Sequence, residues 1–392
     1  MRKIAVIALV IALVGCSTEE KETKKDLLSH ISQQIEFAVD LVNQHKDSVK
    51  VSPRTIEDGE LKLVPSRDWT SGFYPGNLWM LYELTGEEKW KEYAINATIP
   101  LEKEKWNDGT HDMGFKMYCS FGKAWQHTQN TEYRDILIQS AKTLATRYNP
   151  VVGCLRSWDF AKDKWNFPVI IDNMMNLELM LWAYKETGDE QLKDIAIKHA
   201  QTTAKNHFRE DNSSFHVIDY NPETSEVRKR NTHQGLSDES AWSRGQAWGL
   251  YGYTLMYRET EMTDFLQKAE EIASYILSQP GMKEGKIPYW DYDAPNIPDE
   301  PYDASAGAVI ASAFFELSEY SENGEEYLNV ANLMLENLSS EKFLAPVGEN
   351  KGFLLEHSTG SFPHDSEIDV PLVYADYYFL ECLIRKRNLE KK

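Results

Sequence analysis

The chain has 392 residues, 42% of them hydrophobic and 12% aromatic, and carries a formal net charge of −20 from 42 Lys and Arg against 62 Asp and Glu. That apolar content is ample for a large core, and the acidic excess argues against nucleic acid, whose binding needs a basic face. An acidic shell also repels anions, so any anionic ligand requires a local positive site.

At the N-terminus, Arg2 and Lys3 precede an apolar run from Ile4 to Val14. At about 11 residues it is too short to span a bilayer, which takes roughly 20. It reads as a cleaved export signal. The ending Leu13-Val14-Gly15-Cys16 resembles a bacterial lipoprotein box. Residues 1–15 are therefore read as signal peptide, Cys16 as the acylated residue, 16–30 as a tether and 31–392 as one folded domain. The expected location is periplasmic, lipid-anchored to a bacterial membrane; a plain signal peptide with a chance cysteine is the alternative. Removing Arg2 and Lys3 takes the formal charge from −20 to −22. The other cysteines, Cys119, Cys154 and Cys382, are odd in number and lack a CxxC pairing, so they are expected to be buried free thiols.

Length alone suggests two or three domains, but no Pro/Gly/Ser-rich linker follows residue 25. A repeated pattern explains the length better: an apolar helical stretch, a polar turn, then an amphipathic helix. It runs as Leu78–Leu84 with Trp90–Ala97, Phe121–His127 with Tyr133–Tyr148, and Leu177–Glu186 with Leu192–Phe208. Gly249–Arg258 with Phe265–Leu277 and Ala308–Leu317 with Tyr327–Leu338 follow. First members are apolar nearly all round and must be buried; second members keep one wet face. With Ile31–Val42 before them and Leu372–Leu389 after, these give about a dozen helices in about six hairpins, the pattern of an all-α (α/α)6 toroid. An open superhelix is the alternative, and the uneven turn spacing counts against it.

In a toroid the loops entering the inner helices line one mouth, so aromatic, Gly and Pro-rich segments there should carry function. Four stand out in chain order: Asp68 to Gly76, His111 to Phe115, Ile171 to Met175, and Asn231 to Trp248. Asp172 precedes a helix and has a plain reading as an N-cap. Its flanks, Ile170-Ile171 and Met174-Met175, instead predict an apolar enclosure that raises a carboxyl pKa. Neither His216 nor His233 belongs to an HExxH or Cys/His cluster, so no metal is indicated.

Together these segments resemble glycoside hydrolase family 88, the unsaturated glucuronyl hydrolases, from about residue 60 to 385. The specific feature is the order of an HD-x-G-F segment, a DNMMN segment and a S-A-W-x-R-G-Q-A-W segment. The resemblance implies an (α/α)6 enzyme, without cofactor, acting on unsaturated uronyl oligosaccharides left by polysaccharide lyases, glycosaminoglycan disaccharides being the expected substrates. The 4,5-double bond is protonated at C4 and hydrated at C5, and the hemiketal opens with loss of the next sugar. On that basis Asp172 is the acid/base and Asp112 its partner, expected within a few ångströms and keeping Asp172 protonated. His216, 44 residues beyond Asp172, matches the family histidine and ranks above His233.

Arg244 is the expected partner for the uronate carboxylate, since guanidinium binds carboxylate through two parallel hydrogen bonds. Trp248, one helical turn on, is expected to stack on the sugar, Thr232 and Gln234 to hydrogen-bond it, and Trp69, Tyr74 and Trp158 to form an aromatic rim. Ser358 and Ser361 match the family loop against the second sugar. Some members place a lysine there for 6-sulfated substrates; here that position is Pro363, which puts 6-sulfate preference in doubt. The competing readings are an unsaturated rhamnogalacturonyl hydrolase acting on pectin fragments and a non-catalytic glycan-binding lipoprotein.

Overall fold

The computed structural model describes residues 26–392, so the export signal and Cys16 lie outside the described residues. The chain opens with α1 (26–45) and a hairpin of β1 (Lys50–Glu57) and β2 (Glu60–Pro65). Hairpins then follow in the expected order. These are α2 (Phe73–Thr85) with α3 (Glu88–Thr98), and a π-helical segment Gly114–Gly122 continuing as α4 (Lys123–Thr128) with α5 (Thr131–Ala145). After short strands β3 (Tyr148–Asn149), β4 (Cys154–Leu155) and β5 (Pro168–Ile170), a 3-10 turn Ile171–Asn176 leads into α6 (Leu177–Thr187), paired with α7 (Glu190–Asn206). Strands β6 (Val217–Tyr220) and β7 (Val227–Asn231) precede α8 (Ser243–Thr260) with α9 (Thr263–Ser278), α10 (Ala304–Leu317) with α11 (Gly324–Leu338), and α12 (Val373–Leu389).

The first helix of each pair forms the inner wall. α2 touches the π-helical segment, which touches α6; α6 touches α8, α8 touches α10, α10 touches α12, and α12 returns to α2. That closed ring is the (α/α)6 toroid, and it excludes an open superhelix. Every residue of α10 is buried, as the all-round apolar sequence requires. α1 completes the outer ring. Gln34 donates to Glu349 O and Phe353 O, and Glu36 pairs with Lys89 of α3 at 3.1 Å.

Four of the five reversals from inner to outer helix share one device. Thr85, Thr128, Thr187 and Thr260 each donate their hydroxyl to the carbonyl four residues back and accept the backbone N–H two residues on. The residue after each threonine is left-handed: Gly86, Gln129, Gly188 and Glu261, the helix stop expected of a C-cap.

Two features at the mouth were not foreseen from helical periodicity. One is the antiparallel sheet β5-β6-β7, in which Ile170 pairs with Val217. The other is the π-helical start of the second inner helix, a geometry that often marks functional sites. The three cysteines Cys119, Cys154 and Cys382 are free and buried, as expected.

Candidate active site

A cavity of about 710 Å³ opens where the loops enter the inner helices, and both Asp112 and Asp172 line it. Close backbone packing brings them together. A Cβ on Gly114 would lie 2.7 Å from the Cα of Asn176, so only glycine allows the two segments this approach, and Phe115 N donates to Asn176 Oδ1 at 3.1 Å. Asp112 is then held locally. Thr110 Oγ1 donates to its Oδ2 at 2.6 Å, and His111 Nε2 stands 3.2 Å from its Oδ1.

Asp172 follows β5, and the sheet fixes what lies beside it. Ile171 N donates to His216 O at 3.1 Å, which brings the imidazole Nε2 to 3.6 Å from Asp172 Oδ2. His216 Nδ1 accepts two backbone N–H groups, from His233 and Gln234, both at 3.1 Å. A nitrogen accepting two donors carries no proton, so the neutral ring bears its hydrogen on Nε2, facing the carboxylate. Burial holds the His216 pKa well below its ordinary value, with His233 and Arg244 adding to the effect, so the ring stays neutral.

Asp172 Oδ2 is enclosed and has no hydrogen-bond partner. Burial pushes the carboxyl up to about 7; the Arg244 charge opposes this, and the Asp112 charge reinforces it. Enclosure is thus the first cause, as the apolar flanks predict, and the neighbouring carboxylate a lesser one. Nor does Asp172 cap the helix; it is the second residue of the 3-10 turn, whose N-cap is Ile170 and which has no side-chain cap.

Arg244, Gln234, Ser361, Trp69 and Trp158 all border the cavity, as expected. Arg244 is not a free cation, however. Its guanidinium is buried against Asp303, the N-cap of α10, and donates also to the carbonyls of Thr359 and Gly360. Three of its five hydrogens are so used, leaving two, on Nε and Nη2, without a protein acceptor. Gln234 Nε2 donates to Gly360 O at 3.0 Å, tying the same two loops. Trp158 stacks on Phe160 at 4.8 Å and meets His233 at 5.5 Å, forming one aromatic wall.

Other expectations are corrected. Tyr74 is buried and lines a separate cavity with Val39, Tyr93 and Pro100, because the start of α2 turns it toward the outer ring. Trp248 is fully buried between Phe115 and Tyr378, so it cannot stack on a ligand; its indole instead lies beside Asp172 and helps to offset the raised pKa. Thr232 Oγ1 accepts the backbone N–H of Gly235 at 2.8 Å and shapes its own loop. His233 lines the cavity, whereas His216 lies beneath it as a partner of Asp172, so the sequence ranking of the two as ligand contacts is inverted. Sequence reasoning passed over Arg67, His111 and His364, which also line the cavity. Arg67 and His111 flank residues already singled out, and His364 follows Pro363, so adjacency was the available signal.

Residues 43–343 match the profile of Glycosyl Hydrolase Family 88. The chain is 46% identical to an unsaturated glucuronyl hydrolase of Formosa agariphila over an alignment of 404 positions, gaps included, covering 99% of each chain. It superposes with a TM-score of 0.89 on the crystal structure of an unsaturated glucuronyl hydrolase specific for heparin, at 46% identity, covering 93% of this chain and 98% of that one. A Streptococcus agalactiae unsaturated glucuronyl hydrolase, an Asp-to-Asn mutant complexed with dGlcA-GalNAc6S, superposes with a TM-score of 0.76 at 28% identity, covering 92% of this chain and 90% of that one.

Proposed function

The chain belongs to glycosyl hydrolase family 88, and from that premise we propose that it hydrolyses lyase-generated 4,5-unsaturated glucuronyl oligosaccharides of glycosaminoglycan origin, with Asp172 as acid and base. The observation that carries the assignment is the Asp172 carboxyl, which borders the cavity, holds its proton up to about 7 and has His216 Nε2 3.6 Å behind its buried Oδ2. A general acid works best with a pKa near the working pH.

In this mechanism Asp172 gives its proton to C4 of the vinyl ether, and the positive charge that develops at C5 is taken by water. The resulting carboxylate accepts the proton that the water loses. Opening of the hemiketal breaks the C5 to ring-oxygen bond and leaves C1 as a hemiacetal, whose collapse frees the second sugar. The Nε2–H of His216 steadies the Asp172 carboxylate between these steps. Asp112, fixed by Thr110 and His111, supplies a second carboxylate to the attacking water. The two spare hydrogens of Arg244 face the uronate carboxylate, and its planar guanidinium packs against Trp242 and Tyr374, whose ring centres lie 4.5 and 5.5 Å away. Gln234, Trp69, Trp158 and Ser361 surround the sugars.

The lipoprotein-like ending at Cys16 and the apolar run before it support export and anchoring at a bacterial membrane. Labelling with a fatty acid, abolished by Cys16→Ser, is the expected result. Loss of the ultraviolet absorbance of the conjugated double bond tests the activity: glycosaminoglycan-derived unsaturated disaccharides are consumed and pectin-derived ones are not. Turnover of the pectin products alone would favour the rhamnogalacturonyl reading, and binding of intact polysaccharide without turnover would favour a glycan-binding protein.

A further inference from the structure

The acidic excess of the chain, 62 Asp and Glu against 42 Lys and Arg, is reversed at one place beside the mouth. β7 reads Val-Arg-Lys-Arg-Asn, and Arg228, Lys229 and Arg230 are exposed in succession. The turn 161–165 adds Lys162 and Lys164, both exposed, with Asp163 between them. Arg228 is spent on the buried Asp219 at 2.6 Å. Lys162, Lys164, Lys229 and Arg230 have no ion pair among the described residues. The nearest acids along the strand are occupied: Glu226 accepts Thr224 Oγ1 at 3.2 Å, and Asp238 accepts Asn231 Nδ2 at 2.9 Å and Thr232 N at 2.8 Å.

Contacts across the chain gather these cations into one strip. Lys229 Nζ donates to Lys164 O at 3.3 Å, which joins β7 to the turn. Asp219, opposite Lys229 in the β6–β7 ladder, accepts the N–H groups of Asn166 and Phe167 at 2.8 and 2.9 Å, and Trp165 packs on Ile170 and Val217 of the same sheet. Lys164 Nζ lies 4.2 Å over the Trp165 ring, and that ring meets Trp158 at 5.2 Å and His233 at 5.7 Å, both on the cavity wall. The strip therefore reaches the mouth without entering it; among the described residues the lining on this side ends at Trp158, Phe160 and His233. β7 is the edge of its sheet, and basic residues on an edge strand guard it against pairing with another chain. That role accounts for the charge of β7 but not for Lys162 and Lys164, which sit on a turn.

We infer that the β7 edge and the 161–165 turn form a docking strip for an intact, linear polyanionic polysaccharide, a sulfated uronic-acid polymer of the kind from which the unsaturated oligosaccharides are cut. This rests on the proposed function, which makes such a polymer the source of the substrate. The five residues of β7 extend over about 17 Å, a length that suits several charges along a chain rather than one small anion. Exposed cations on long side chains bind by charge number and by release of counterions, not by a shaped pocket, and that is the mode of binding a polyanion uses. Docking outside the cavity leaves the mouth open and holds it where the short products appear, so their local concentration rises.

The test measures binding of intact heparin and chondroitin sulfate, whose chains have no 4,5-unsaturated end, across a salt series. Wild type is compared with the triple variant Lys162→Ser, Lys229→Ser, Arg230→Ser, and with Lys162→Glu alone, a contact-free position that keeps the test open if the triple variant misfolds. Wild type should bind. The triple variant should bind about tenfold more weakly at low salt, with the slope of log affinity against log salt shallower by about two to three, as loss of three counterion-releasing contacts implies. Lys162→Glu should weaken binding in the same direction, and kcat/KM for an unsulfated unsaturated disaccharide should be unchanged in both variants. No binding by wild type, equal binding by the variants, or displacement of the polymer from Asp172→Asn by the unsulfated disaccharide would each overturn the strip. Binding to phosphatidylglycerol vesicles but not to either polysaccharide would also overturn it, in favour of a membrane contact. Failure of the proposed activity shows separately, as a wild type inert toward every unsaturated uronyl disaccharide whether or not it holds the intact polymer.

Discussion

Asp172 at the mouth and Asp376 in the first turn of α12 are both enclosed, and burial pushes both carboxyls up to about 7. Their surroundings differ in every other respect. Asp376 accepts Leu354 N at 3.0 Å on one oxygen and Leu355 N at 2.9 Å on the other, so it fastens the loop before it to an inner helix. Asp172 leaves Oδ2 unpartnered, faces a histidine N–H and borders the cavity. A raised proton affinity is therefore a consequence of enclosure in either place. What makes one of these groups an acid is a carboxyl that borders the cavity, its side chain 13% exposed, instead of one spent on backbone N–H groups.

The strongest way to break this contrast is to remove each carboxylate in turn. Asp172→Asn should lower kcat by about a thousandfold, within the range for loss of a general acid, without lowering the melting temperature. Asp376→Asn should leave kcat nearly unchanged. Comparable losses of kcat would mean that burial, not access, selects the acid. The raised pKa values also set a sign for stability. Between about pH 4 and pH 7 the folded state binds these protons more tightly than the unfolded chain, so stability is fullest at the acid end and falls as pH rises. A shift of about three pKa units corresponds to roughly 4 kcal/mol per group across that window. Denaturant unfolding at both ends should show a shallower decline for either Asn variant.

A smaller effect is expected from His216→Ala. Without the Nε2–H the carboxylate loses a stabilising donor, so kcat falls by about ten- to a hundredfold. The alkaline limb of kcat/KM, which reports deprotonation of the acid in the free enzyme, moves to higher pH. Asp112→Asn should move that limb the other way by a fraction of a unit, because it deletes the like charge that reinforces burial. A large downward shift would restore Asp112 as the main cause. The smallest effect belongs to Tyr74→Phe, which should leave steady-state kinetics unchanged because Tyr74 opens on a different cavity. Any marked rise in KM would contradict that placement.

Periodicity located the inner helices because a helix apolar on all sides can only be buried, and the turns between Leu84 and Trp90 or Glu186 and Leu192 lay where the structure has them. Asp112, Asp172, Arg244, Gln234, Ser361, Trp69 and Trp158 were found because each sits in or near a segment whose composition suits a mouth rather than a wall. Tyr74 and Trp248 were misplaced for one reason: a repeat pattern says that a side chain is buried, not which of two enclosed spaces it meets.

The amino-acid sequence by itself determined the alternation of inner and outer helices, the end at which they open and the apolar flanks of Asp172. These depend on local periods and on neighbours along the chain. Tertiary structure alone decided the neutral tautomer of His216 and the pairing of Arg244 with Asp303 and two carbonyls. Each of those follows from contacts between residues 17 to 116 positions apart, such as His216 with His233 and Arg244 with Gly360, and no local pattern encodes which distant partner a polar side chain will meet.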